Sequence, residues 1–79
     1  MEVRVKYFGF EPVEEAFCVT LPEGATVKDL LDQLKKERTA EEKTTLDNST
    51  IMVNEIKSHR KTLLSDQDKV LILIPLGGG

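Results

Sequence analysis

Near the C-terminus the chain runs through five consecutive apolar residues, Val70-Leu71-Ile72-Leu73-Ile74, and four of the five are followed by another apolar side chain. A strand alternates its side chains between two faces, so a run with no polar position has no face reserved for water. Such a strand belongs at the centre of a sheet. It is either covered on both sides, or covered on one side while exposing an apolar patch on the other. The rest of the sequence must supply its neighbours and its cover.

The neighbours are legible from periodicity. Val3, Val5 and Tyr7 alternate with Glu2, Arg4 and Lys6, the period of a half-buried strand. Phe8 falls on the face opposite Tyr7 and is out of phase. Gly9 to Glu15 carries Gly, Pro and three acids and reads as a turn. Phe17, Val19 and Leu21 then alternate as a second strand, so the first two strands are expected to form a hairpin. Ile51 and Val53 mark a third strand closed by Asn54-Glu55. Ile56 to Lys61 is ambiguous and has room for a short strand. Leu63-Leu64 followed by Ser65-Asp66-Gln67-Asp68 reads as an apolar anchor and then a turn.

The cover is a helix. Pro22-Glu23-Gly24-Ala25 ends the second strand. Thr26 is placed to cap the next segment, with Asp29 at the capping-box position. Val27, Leu30, Leu31 and Leu34 recur at i, i+3, i+4 and i+7 and form one apolar stripe. Lys35, Lys36 and Arg38 lie where cations suit the helix C-terminus. One principal helix is therefore expected near Thr26–Arg38, while the polar stretch from Thr39 to Asn48 reads as a loop with at most a helical turn. The order strand, strand, helix, strand, short strand, strand predicts an α+β fold. Its mixed sheet has four to five strands with the helix across one face, and the last strand lies parallel to the first at the centre. This is the β-grasp arrangement of ubiquitin.

Composition sets outer limits. A chain of 79 residues buries only about 60–65% of its unfolded surface, enough for one modest core. Hydrophobic residues at 39% and charged residues at 32% fit a soluble globular domain. A formal net charge of −3 disfavours nucleic acid as a partner. No apolar run is long enough to span a bilayer, and the first ten residues lack a signal-peptide layout, so a cytoplasmic location is expected. One cysteine excludes an internal disulfide framework and a Cys cluster for zinc. Residues 1–76 are expected to form the domain and 77–79 a flexible tail.

That tail is the candidate reactive group. Gly77, Gly78 and Gly79 follow closely on the final strand. A segment without Cβ atoms can enter a tunnel too narrow for other residues, leaving the Gly79 carboxylate free to react. Carboxylates are poor electrophiles, so a partner must first convert this one to an acyl-adenylate with ATP. No Ser/His/Asp set, phosphate loop or paired-carboxylate site accompanies it, so the chain is expected to be a carrier or non-catalytic subunit rather than an enzyme.

The segments V-R-V-K-Y-F-G, A-T-V-K-D-L-L-D-Q-L, I-M-V-N, L-S-D-Q-D-K-V and I-P-L-G-G-G together resemble the MoaD/ThiS family of ubiquitin-like sulfur carriers over nearly the whole chain. The family commonly has L-x-D-G-D-x-V where this chain has Gln67, and V-N-G where it has Glu55. A third glycine, Gly77, precedes the usual Gly-Gly pair. The resemblance implies adenylation of Gly79 by an activating enzyme, conversion to a thiocarboxylate, and sulfur delivery to an acceptor such as the large subunit of molybdopterin synthase. Length and spacing look closer to the molybdopterin subunit than to the thiamin-pathway carrier, and ubiquitin-like tagging of lysines is the other class implied. The chain itself is expected to bind no cofactor or metal, and to be a monomer when free.

Matching family positions make Phe8, Leu71, Leu73 and Pro75 the expected partner interface. Four other residues read as ordinary. Cys18 faces away from Phe17 and Val19 with no base nearby. His59 sits among solvated residues. Asp66 and Asp68 are placed to cap backbone N–H groups in a turn.

Overall fold

The computed structural model describes residues 1–9 and 16–75. In chain order it contains β1 (Glu2–Phe8), β2 (Phe17–Thr20), α1 (Val27–Lys35), α2 (Ala40–Asp47), β3 (Thr50–Val53), β4 (Ile56–Ser58) and β5 (Lys69–Leu73). The strands form one sheet in the order β2-β1-β5-β3-β4. The apolar run occupies the centre as expected: β5 pairs parallel with β1 and antiparallel with β3. This is the α+β, ubiquitin-like arrangement predicted from the sequence. The turn expected over Gly9 to Glu15 and the tail 77–79 lie largely or wholly outside the described residues.

One face of the sheet makes the core. Val3, Val5 and Tyr7 of β1, Val70 and Ile72 of β5, and Ile51 and Val53 of β3 are buried there. Val27, Leu30 and Leu31 of α1 are buried with them, and Leu34 is partly buried at the end of the same stripe. Thr26 and Asp29 form the anticipated capping box: the Thr26 N–H donates to Asp29 Oδ2 at 2.8 Å and the Asp29 N–H to Thr26 Oγ1 at 3.4 Å. The next two N–H groups of α1, those of Val27 and Lys28, donate to the carbonyls of Thr62 and Arg60 at 3.0 Å each. The free donors of the first turn thus tie the helix to the loop before β5.

The helix is shorter than expected and has a companion. Lys36 is already extended and Glu37 takes φ 62°, so α1 ends before Arg38. Arg38 lies across β1 instead, with its guanidinium 5.7 Å from the centre of the Tyr7 ring. The stretch predicted as a loop contains an eight-residue helix, α2. It was hidden because only Leu46 among its residues is buried, at 1% exposure, so no apolar stripe exists to read. Its signal was a second capping box: Glu42 N–H donates to Thr39 Oγ1 and Thr39 N–H to Glu42 Oε1, both at 3.1 Å. A bond from Lys35 Nζ to Asp47 Oδ1 at 2.8 Å joins the two helices.

Two turns hold residues in the left-handed region. Asn54 and Glu55, at φ 51° and 69°, are the two residues linking β3 to β4, where Val53 pairs with Ile56. Both central residues at positive φ is the pattern of tight hairpins, which favour Asn-Gly. The second turn, Ser65 to Asp68, is closed by the Asp68 N–H donating to the Ser65 carbonyl at 3.1 Å, and Gln67 sits at φ 70°. These are the two positions where the sequence departs from a glycine pattern. The backbone keeps the glycine-type conformation with a side chain that disfavours it.

Two outcomes follow for equilibrium denaturation. Leu31→Ala should destabilise the domain by roughly 2–5 kcal/mol, and a loss below about 0.5 kcal/mol would remove Leu31 from the core. Glu55→Gly and Gln67→Gly should each stabilise it, by about 0.5–1 kcal/mol. Gly24→Ala is the opposite case: its φ is 82° and an added Cβ meets nothing within 4 Å, so any loss of stability there reports backbone strain alone.

Candidate functional site

The face of the sheet turned away from the helices is built by the alternate residues of each strand. In β1 these are Glu2, Arg4, Lys6 and Phe8, all exposed while their neighbours are buried. In β5 they are Lys69, Leu71 and Leu73. The parallel register sets Lys6 opposite Leu71 and Phe8 opposite Leu73. On the other side of β5, Met52 lies opposite Leu71 and Thr50 opposite Leu73. Phe8 is 60% exposed, and Leu71, Leu73 and Met52 are half-buried. The four predicted residues are therefore brought to one end of the central strand pair. Met52 extends the patch they make.

The way out of the sheet is also defined. The Ile74 N–H donates to the Phe8 carbonyl at 2.8 Å. This carries the β1–β5 pairing one residue beyond the strand. Pro75 is exposed and has no N–H to continue the ladder. The chain thus leaves the sheet next to Phe8 and Leu73. Gly77, Gly78 and Gly79 themselves lie outside the described residues.

Sequence reasoning missed Met52, Lys6 and Lys57 on this face. The alternation was present in each case: Met52 sits between Ile51 and Val53, both buried, and Lys57 pairs with Met52 in β4. A shallow groove of about 540 Å³ runs here, lined by Arg4, Lys6, Met52, Glu55, Lys69 and Leu71 among others.

The residues read as ordinary have ordinary surroundings. Cys18 is exposed on β2, opposite Arg4. His59 is exposed, and its Nδ1 accepts from the Lys61 N–H at 3.2 Å. Asp66 and Asp68 cap backbone donors as expected. Asp66 Oδ1 accepts from the Glu2 N–H at 2.7 Å, and Asp68 Oδ2 from the Ser65 N–H at 2.7 Å. The bond from Glu2 holds the Asp66 carboxyl below the usual carboxylate range. Asp68 Oδ1 also accepts from Asn54 Nδ2 at 2.8 Å, and Asn54 Oδ1 from the Lys69 N–H at 3.0 Å. The acids therefore fix the start of β5 against β1 and β3, at the end opposite the tail. Among the described residues no three His, Cys, Asp or Glu side chains gather as metal ligands. Among the described residues, no helix is long and apolar enough to cross a membrane.

A small β-grasp domain with an apolar outer patch beside its C-terminal exit defines a ubiquitin-like class, and sequence comparison narrows it. Residues 5–79 match the ThiS family model, and the chain belongs to that family. The chain is similar to a putative molybdopterin converting factor subunit 1 from Pyrococcus furiosus, at 31% identity over 95% of this chain and 98% of that one, with a TM-score of 0.75. It is also similar to a chain in the complex of subunits 1 and 2 of the molybdopterin-converting factor from Helicobacter pylori, at 29% identity over the whole of both chains and a TM-score of 0.71. SAMP1 from Haloferax volcanii shares the fold over the full length of both chains, with a TM-score of 0.78 and 20% identity. No curated protein sequence matches the chain.

The exposure of Phe8 has a measurable consequence in the isolated domain. Phe8→Ala should change the free energy of unfolding by less than about 0.5 kcal/mol, the range of surface substitutions. A loss of several kcal/mol, the size seen for buried Phe→Ala changes, would place the ring in the core.

Proposed function

We propose that this chain is a sulfur carrier whose reactive group is the Gly79 carboxylate. The observation that carries the reading is the apolar patch of Phe8, Leu71, Leu73 and Met52 at the point where a ThiS-family chain leaves its central strand toward Gly77-Gly78-Gly79. A partner that holds a glycine tail in a narrow channel needs a second, rigid handle on the body of the carrier, and this patch supplies one. Residues 1–76 act as the body and 77–79 as the tail. Phe8, Leu71, Leu73 and Pro75 form the docking surface, and burying one such ring or Leu side chain contributes about 1.5–3 kcal/mol.

The chemistry is a two-step acyl activation. A carboxylate oxygen of Gly79 attacks the α-phosphorus of ATP on an activating enzyme, forming the acyl-adenylate and releasing pyrophosphate. A sulfide nucleophile then attacks the acyl carbon, and AMP departs with the electron pair of the broken C–O bond. The product is a C-terminal thiocarboxylate. The chain contributes the acyl group and the docking surface, and the partner contributes ATP and catalysis. The reaction belongs in the cytoplasm, where ATP is supplied.

The acceptor we favour is the large subunit of a molybdopterin synthase. Both converting-factor relatives are covered almost end to end, and the Helicobacter pylori one was solved in complex with subunit 2. Delivery to thiamin synthesis and attachment to protein lysines are the alternatives.

Incubation with the adenylating enzyme of the same organism, ATP and a sulfide source should raise the intact mass by one sulfur-for-oxygen exchange. Deletion of Gly79, or an alanine added after it, should abolish the shift. An unchanged wild-type mass would overturn the carrier reading, and isopeptides on lysines of other proteins without thiocarboxylate would assign the chain as a protein tag.

A further inference from the structure

The sheet's outer face joins its apolar patch to an uncompensated set of cations. Following the register across four strands, Lys6, Leu71, Met52 and Lys57 form one row: Lys6 pairs with Leu71, Leu71 with Met52, and Met52 with Lys57. Two half-buried apolar side chains are thus bracketed by an ammonium at either end. The next row toward the start of the strands adds Arg4 opposite Lys69. All four cations are exposed. Among the described residues the carboxylates on this face are Glu2, in β1, and Glu55, which lines the groove.

The other side of the molecule is wired differently. Every ion pair between side chains among the described residues lies there: Lys28 and Lys35 with Asp32, Lys35 and Arg60 with Asp47, and Arg38 with Glu42. Among the described residues none of Arg4, Lys6, Lys57 or Lys69 belongs to an ion pair. Among the described residues, the outer face of the sheet thus carries four cations against the two carboxylates of Glu2 and Glu55, a local positive balance on a chain of net charge −3.

We propose that these four cations select the partner enzyme, and that the surface it brings to this face is an apolar pocket bordered by aspartates and glutamates. The proposal rests on the carrier reading above and adds the chemistry of recognition to it. Lysine stems pack along apolar surface while their ammonium groups reach outward, so Lys6 and Lys57 can flank the Leu71–Met52 pair without breaking the patch. Charges at the border of an interface act mainly on encounter, by steering, while a desolvated apolar centre governs residence. A second copy of the chain is a poor occupant, because a two-fold contact would set this positive face against itself. A nucleic acid fits poorly too, since the chain's net charge of −3 disfavours a long polyanion.

The test measures association and dissociation rates of the full-length chain with the adenylating enzyme of the same organism at low and high salt. Raising the salt should slow wild-type association about tenfold or more. Lys6→Glu with Lys57→Glu should slow it by a similar factor at low salt, whereas Phe8→Ala should act chiefly on dissociation. Lys36→Glu with Lys43→Glu makes the same change in net charge on the helix side and should leave association within about twofold. Lys6→Gln with Lys57→Gln serves if the reversal perturbs folding, and should give a smaller slowing in the same direction. Equal slowing by the two glutamate pairs would reduce the effect to net charge and overturn the proposal. So would wild-type rates for the Lys6/Lys57 pair, or binding that is indifferent to salt, both of which leave the carrier reading intact. A wild-type chain that binds no adenylating enzyme overturns both, as does one whose Lys6/Lys57-dependent contact is with a second copy or with duplex DNA.

Discussion

The structure depends on placing β5 between β1 and β3. A strand with apolar residues on both faces is stable only where neighbours satisfy its backbone and a helix covers one side. The parallel pairing with β1 makes this possible. A parallel neighbour cannot follow by a hairpin, so the intervening chain must cross over, and here the crossover includes α1. Its buried residues Val27, Leu30 and Leu31 meet the inward side chains of β1 and β5. The core and the topology are thus one constraint. The same placement leaves Leu71 and Leu73 on the uncovered face, so the apolar patch is a consequence of the residues chosen for the central strand. A polar residue at either position would satisfy the fold equally well, which is why their apolar character points to a partner.

The end of β5 remote from the tail is also held by a polar network. Asp66 accepts from the Glu2 N–H of β1, Asn54 from the Lys69 N–H of β5, and Asp68 from the Ser65 N–H of the turn and from Asn54 Nδ2, and the Gln67 N–H donates to the Glu2 carbonyl at 2.6 Å. That network explains how Gln67 and Glu55 are kept at positive φ. Several bonds on either side over-determine the backbone, so the local strain is tolerated. A glycine in either place would relieve it without altering the path of the chain.

Much of this was legible because the relevant residues alternate or recur with a clear period. Val3-Val5-Tyr7, Ile51-Val53 and the α1 stripe each placed an element correctly, and Thr26 with Asp29 placed a helix start. What escaped had no period to show. Helix α2 buries a single residue, Leu46, and its surface is otherwise polar on every side, so only the Thr39–Glu42 box announced it. The C-terminal end of α1 was overread because Lys35, Lys36 and Arg38 suit a last helical turn; the chain instead turns at Glu37 and spends Arg38 on Tyr7. Phe8, Leu71 and Leu73 could be assigned to one face from alternation alone. Alternation puts Met52 and the flanking lysines on the outer face too, but their membership of one row with Leu71 depends on which strands are neighbours. Periodicity within a strand says nothing of register between strands.

That distinction bears on how a domain this small is recognised under the carrier reading proposed above. The tail is chemically generic, since any chain can end in glycines, and an enzyme that activates a terminal carboxylate must therefore read the domain behind it. The readable surface is assembled from four strands that are distant in sequence, so it exists only in the folded state, and an unfolded or misfolded chain presents the glycines without the handle. Folding then acts as the check on activation. The position of the handle strengthens it. Phe8 and Leu73 stand at the last paired residues of β1 and β5, and the Ile74–Phe8 bond and Pro75 fix the direction in which the chain departs. On the carrier reading proposed above, a partner seated on those two side chains meets the chain where it leaves the sheet, so docking on a rigid surface and capture of the Gly79 end are coupled in one event.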